Sequence, residues 1–148
     1  MNKVFLQFLG YFAIIFATDQ LIKWLFLQGF RWQSDFIDLV LVYNKGVAFS
    51  MLAFLEGNLK YLQIALIALL AIYLIKQKEL LKSHTAAFGL ILGSGCSNIF
   101  DRFIHPGVVD YIFWHKWFEF AVFNFADIMI NLGVAIILLQ TLIQKKAK

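Results

Sequence analysis

VVDYIFWHKWFEFAVFNFAD, Val108 to Asp127, has an aspartate near its start, inside a β-prone run, and another at its end. Asp110 follows the His105-Pro106-Gly107 turn and sits among Val, Tyr, Ile, Phe and Trp, residues that favour a strand. Asp127 opens the last long apolar segment of the chain, just below the surface that segment must cross. A charged side chain inside a spanning segment costs about 2.5–3.5 kcal/mol on insertion scales, so acids at the rim of a bilayer need a purpose. If the two face each other, like-charge repulsion and partial burial raise one pKa, and the pair holds a single proton near neutral pH. One carboxylate then takes a proton from water while the other donates to a carbonyl oxygen. Helix capping is the competing explanation for Asp127. Asn124 already stands ahead of it as a cap, however, and Asp110 has no such excuse.

Composition agrees with a membrane setting. Of 148 residues, 61% are hydrophobic and 15% charged, and the mean hydropathy is +0.77. A soluble domain of this length could not bury so many Phe, Leu and Ile side chains. The net charge of +4 does not point to nucleic acid, because the lysines cluster at segment ends. Cys96 is the single cysteine, which excludes an internal disulfide and a multi-cysteine metal site. One proline and no Ser- or Gly-rich linker predict a single membrane domain over residues 1–148.

The expected fold is mainly α, with four transmembrane helices at about 4–27, 59–75, 85–100 and 126–143. The apolar start is read as an uncleaved helix, since no small-x-small site follows near Ala17. Lys3, the Lys76/Lys78/Lys82 connection and Lys145, Lys146 and Lys148 put seven cations on the side of the termini. Five others, Arg31, Lys45, Lys60, Arg102 and Lys116, lie on the opposite side, spread over many more residues in or beside the long connections 28–58 and 101–125. That bias predicts cytoplasmic N- and C-termini and both long connections outside. Trp24, Trp32, Trp114 and Trp117 all fall at the outer end, as an interfacial belt would. Phe36–Phe49 and Val108–Phe125 are expected to supply short strands of a small surface sheet, with a short amphipathic stretch from Ser50 to Leu55.

Further polar residues need a reason. Asp19 and Lys23 lie one helical turn apart, and an i,i+4 ion pair near the outer interface, bracing the external loops, accounts for them. Gly89, Gly93 and Ser97 form a small-residue stripe for close helix packing. Asn98 and Arg102, one turn apart, can hold a loop or a neighbouring carboxylate, and Arg102 beside Asp101 reads as structural. Asn131 lies on the face of Asp127 without an assigned role. Cys96 lacks a histidine on its helix, and His84, His105 and His115 have no metal-ligand spacing. Ser50, Ser94 and Ser97 lack a histidine partner at a recognisable spacing.

In order, DQLIK (Asp19–Lys23), NKGVAF (Asn44–Phe49), GSGCSNIFDR (Gly93–Arg102), GVVDYI (Gly107–Ile112) and FNFADI (Phe123–Ile128) resemble the lipoprotein signal peptidases, signal peptidase II. The resemblance covers nearly the whole chain. It implies four transmembrane helices, a small periplasmic β-cradle and a short surface helix. It implies removal of signal peptides from bacterial prolipoproteins, cut before a diacylglyceryl-modified cysteine, without metal or cofactor. The family's catalytic aspartates match Asp110 and Asp127, and its supporting positions match Asp19, Asn44, Asn98, Arg102 and Asn124. Asn44, Asn98 and Arg102 are then expected to contact substrate backbone or the catalytic carboxylates, while Gly46 and Ala48 keep their loop close; Lys23 supports Asp19. Ser94 and Ser97 stand where the family usually has more glycine. The implied partners are the lipidated precursor and membrane lipid, in a bacterial inner membrane, with nothing demanding more than a monomer.

Two other functions fit less well. A proton-coupled transporter subunit predicts acids near the midplane and a repeat relating two halves, neither of which is seen. A non-catalytic scaffold for lipidated partners predicts that Asp110→Asn is harmless.

Overall fold

The computed structural model of the protein describes residues 3–46 and 53–146. The elements run α1 (Lys3–Leu27), β1 (Ile37–Asn44), a 3-10 turn (Ala53–Asn58), α2 (Leu59–Lys76), α3 (Lys78–Ser83), α4 (Thr85–Ile104), β2 (Val108–Trp114) and α5 (Phe125–Lys146). The four expected helices are therefore present, each slightly longer than its apolar run, and α4 continues past residue 100 to Ile104. The Lys76–Lys82 connection folds as the short helix α3. His84, between α3 and α4, is buried, with Nδ1 2.5 Å from Gln140 Oε1 of α5. The amphipathic stretch expected at Ser50–Leu55 appears as the 3-10 turn, shifted toward α2; its first residues, like Val47, Ala48 and Phe49, lie outside the described residues.

α1, α2 and α5 are long and apolar enough to cross a membrane. α4 is the exception, and its position explains why. It packs between α1 and α5, so its inward face can carry Ser94, Ser97, Asn98 and Asp101, all buried. A polar side chain surrounded by protein finds partners that lipid cannot offer. The small-residue stripe sets how closely α4 approaches α1. A Cβ at Gly93 would stand 2.7 Å from the carbonyl oxygen of Phe12, and one at Gly89 2.5 Å from Cβ of Tyr11. Below this crossing, Leu74, Phe88 and Leu92 form the apolar core, with Phe8, Phe12, Ile67, Leu70 and Ile137 packed on it.

β1 and β2 pair antiparallel, with Asn44 opposite Val108 and Val42 opposite Asp110, and an irregularity between Leu39 and Val42. Single bridges Trp32–Leu39 and Ile112–Phe123 widen this two-stranded sheet on both sides. The expected strand content of 115–125 is thus reduced to one bridge. The chain bends after Trp114, with Phe120 N–H returning to the Trp114 carbonyl, and only Phe123 regains the ladder. Gly107 stands just before β2 where the chain passes the end of β1, because a side chain there would collide with the backbone of Asn44, at 2.6 Å from its carbonyl oxygen.

Gly93→Val places branched atoms against α1 backbone, which cannot yield as a side-chain tip could. Overpacking of this kind costs about 1–3 kcal/mol. The melting temperature in detergent should fall clearly for Gly93→Val and little for Gly10→Ala, whose added Cβ meets nothing within 4 Å.

Candidate functional site

The site is built on the N-terminus of α5. The first N–H groups of a helix lack intrahelical partners, and here each finds one. Asn124 caps the helix: its Oδ1 accepts from Asp127 N–H at 2.9 Å, while Asp127 Oδ2 accepts from Asn124 N–H at 3.1 Å. This reciprocal pair is a capping box with Asp in the Glu position. Phe125 N–H donates to Tyr111 Oη at 3.0 Å and Ala126 N–H to Asp19 Oδ1 at 2.9 Å. The Tyr111 ring is itself stacked on Phe26 of α1, centroids 4.1 Å apart. Capping uses only one carboxylate oxygen of Asp127, and the other, Oδ1, has a different donor in Asn98.

Beneath this cap lies a buried ion cluster. Lys23 Nζ stands 2.6 Å from Asp19 Oδ2, 2.7 Å from Asp101 Oδ2 and 2.8 Å from Asn98 Oδ1. Lys23, Asp19 and Asp101 are each at most 1% exposed. An ammonium has three donors, and all three are used. Ser97 Oγ donates to Asp19 at 2.7 Å, and Gln20 Nε2 donates to Asp101 and to Ser97 Oγ, both at 2.8 Å. Val109 N–H donates to Asp101 Oδ2 at 3.0 Å, which ties the start of β2 to α4. The expected Asp19–Lys23 pair thus forms, as part of a larger cluster sealed in protein. Asp101 belongs to this cluster and is not Arg102's partner.

The cluster orients Asn98. Its Oδ1 accepts from Lys23 and from Asn124 Nδ2 at 3.1 Å. Its Nδ2 is left to donate to Asp127 Oδ1 at 3.0 Å. Asp110 is held in the same manner from the other side, by Asn124 Nδ2 on Oδ1 at 2.7 Å and Asn44 Nδ2 on Oδ2 at 2.9 Å. Burial, then the charge of Asp127, push the Asp110 carboxyl up to about 7, against the opposing hydrogen bonds from Asn44 and Asn124. Arg102 reaches the carbonyls of Lys45 and Gly46, fastening the end of β1 over α4. Asn44 Oδ1 accepts from Gly46 N–H at 2.9 Å in the same turn. Asn131 Nδ2 donates to the Asp127 carbonyl oxygen one turn above it in α5.

Asp110 and Asp127 line one cavity of about 580 Å³. Asn44, Gly46, Asn98 and Arg102 line its polar end, and Leu66, Ile67, Leu70, Ile91 and Leu92 its apolar end. Asp19, Lys23 and Asn124 do not line it and hold those that do. Among the described residues no group of His, Cys, Asp or Glu is arranged to hold a metal ion. Sequence reasoning gave Gln20 and Tyr111 no role of their own and set Asp101 beside Arg102 instead of Lys23, and Ser97 has a polar role beyond its small size. The signal was available on α4, where Ser94, Ser97, Asn98 and Asp101 recur at three- and four-residue steps and so share a face.

A membrane-type helical protein with two acids, Asp110 buried and Asp127 half-buried, lining one amphipathic cavity beneath a small sheet, is the class that fold and geometry define. A family model described as signal peptidase (SPase) II matches residues 11–143. The lipoprotein signal peptidase of Campylobacter jejuni serotype O:2 is 59% identical over 146 residues, covering 99% of this chain and 94% of its own. The protein of the same name from Helicobacter pylori is 57% identical over 139 residues, covering 94% of this chain and 88% of its own. A bacterial membrane enzyme solved by the in meso method at 2.3 Å superposes with a TM-score of 0.77 at 21% identity, over 95% of this chain and 90% of that one. The chain belongs to the signal peptidase II family of peptidases.

Lys23→Ala would leave two buried carboxylates without their cation. Breaking a buried pair in this way costs about 3–5 kcal/mol, so the variant should lose most of its folded fraction under mild denaturant that leaves the wild type intact. Equal unfolding midpoints would show that the cluster contributes nothing to stability.

Proposed function

We propose that this chain is an intramembrane aspartyl endopeptidase that removes signal peptides from bacterial prolipoproteins, cutting before the diacylglyceryl-modified cysteine, with Asp110 and Asp127 as the catalytic pair. The observation that carries this is the shared cavity. Two carboxylates line it together, each gripped by asparagine donors, while the other buried acids are consumed by Lys23. Four helices cross the bilayer, α4 included, with both termini cytoplasmic and the sheet at the outer face. The exposed Trp24, Trp32 and Trp117 near the sheet support that orientation.

The chemistry follows from the environments of the two acids. Asp110, with its carboxyl pushed up to about 7, holds the proton at neutral pH. Asp127, at a helix N-terminus and with Asn98 and Asn124 donating to it, is assigned the part of the base. Asp127 takes a proton from water as the oxygen attacks the scissile carbonyl carbon, and Asp110 donates its proton to the carbonyl oxygen. The tetrahedral intermediate collapses as the C–N bond breaks. Asp127 returns its proton to the leaving amine of the cysteine, and Asp110 recovers one from the intermediate's hydroxyl. The products are a new carboxyl terminus on the signal peptide and a free amino group on the lipidated cysteine. No metal or organic cofactor enters the scheme.

The supporting residues act through the pair. Asn44, Asn98 and Asn124 orient the carboxylates, Lys23 and Asp19 hold Asn98 and the start of α5, and Arg102 with Gly46 shapes the polar rim. The lipid chains of the precursor stay in the bilayer, and the cut site rises to the rim. A monomer suffices.

Purified protein in lipid should cut a diacylglyceryl-modified precursor and leave the unlipidated one. Asp110→Asn and Asp127→Asn should each bind the lipidated form and lower kcat by at least about a thousandfold, since either loss removes proton transfer to or from the reacting atoms. A well-folded variant cutting at the wild-type rate would remove that aspartate from the mechanism.

A further inference from the structure

We propose that Gln63 is a substrate-positioning residue that accepts a hydrogen bond from a backbone N–H of the bound signal peptide. This deepens the peptidase assignment made above and rests on it. In α2, Leu59 and Leu74 are buried and Gln63, Ile67 and Leu70 are half-buried, while most residues between them are exposed. These positions recur at three- and four-residue steps and form the helix's one inward stripe. Gln63 is the one uncharged polar side chain on it and lines the same cavity as Asp110 and Asp127, whereas half-buried Lys60 lies over the Phe103 ring. Gln63 Oε1 is covered by protein and has no hydrogen-bond partner among the described residues, and a turn about the soft torsion of the terminal amide brings it to the cavity. A buried acceptor left unpaired destabilises the protein that carries it, and Leu at this position would cost nothing of the kind. Unpaired polar groups kept in a cavity wall are readily explained when a ligand completes them.

Depth and chemistry narrow the ligand. A Cβ on Gly95 of α4 would lie 2.8 Å from Cδ1 of Ile67, which sets those two residues at one level. α2 and α4 run in opposite directions, so one turn toward the sheet brings Gln63 level with Ile99 and its neighbour Asn98. Asn98 holds Asp127, which puts Gln63 across the cavity at the height of the carboxylates. An amide oxygen can only accept. The esters and thioether of a diacylglyceryl-cysteine offer acceptors alone, so the donor at that height is a peptide N–H flanking the cut bond. Asn98 and Asn44 are already committed to the carboxylates, and Arg102 is a donor, whereas Gln63 offers an unpaired acceptor to the peptide.

The test uses the full chain in lipid and diacylglyceryl-modified precursor peptides in which backbone amides near the cut are replaced, singly, by esters. For the wild type, one ester position should lower kcat/KM about five- to tenfold, chiefly through KM. Gln63→Leu and Gln63→Met should carry that loss already with the all-amide peptide and show none further at that position. Both should keep the wild-type sensitivity at every other position and melt no lower than wild type. Ester profiles that run parallel in wild type and both variants would overturn the role of Gln63 while leaving the peptidase assignment standing. A wild type that leaves the all-amide precursor uncut would overturn that assignment and this one together.

Discussion

The ammonium of Lys23 is the point on which the site depends. With Asp19, Asp101 and Asn98 as its three acceptors, it is saturated and sealed from solvent. A lone ammonium or carboxylate at this depth would be untenable. Together they form a cluster whose members sit on different elements: Asp19 and Lys23 on α1, Asp101 and Asn98 on α4. Asp19 extends it to the first turn of α5 and Asp101 to the first residues of β2. The two elements that carry Asp127 and Asp110 are thus anchored to one buried cation, and the separation of the two acids is set by it.

The same arrangement reconciles hydrolysis with a lipid environment. The apolar faces of α1, α2 and α5 suit hydrocarbon, while the polar groups gather on α4 and at the start of α5, where protein surrounds them. Asparagines do the intermediate work: each donates to a carboxylate through an amide whose oxygen is already engaged. Such donors hold the acids in place without adding positive charge, so Asp110 can keep a proton near neutral pH. A lysine directly on either carboxylate would favour the doubly ionised pair and abolish that division.

Much of this could be read from the residues. Hydropathy located the four helices and the Pro-Gly turn with its β-branched run located β2, while Asp110 and Asp127 stood out as two acids of which capping could explain only one. The end of α4 was harder, because Asn98, Asp101 and Arg102 break the apolar run on a face that packs against protein, and the helix continues past residue 100 to Ile104. Asp101 was attributed to its sequence neighbour Arg102, whereas its partners Lys23 and Gln20 come from α1, about 80 positions away in the chain. Pairings over such separations follow from helix packing, which local spacing does not encode. The run after Trp114 also misled, since an aromatic-rich stretch suits a membrane surface as well as a strand.

The central claim is that Asp110 and Asp127 share one proton at neutral pH. Infrared difference spectra of the protein in lipid, recorded across pH 5 to 9 for wild type and Asp110→Asn, test it directly. The account predicts a protonated-carboxyl band in the wild type that fades as pH rises through about 7 and is absent in Asp110→Asn. A wild type with no carboxyl titrating in that range, or a band that survives the substitution, would contradict it.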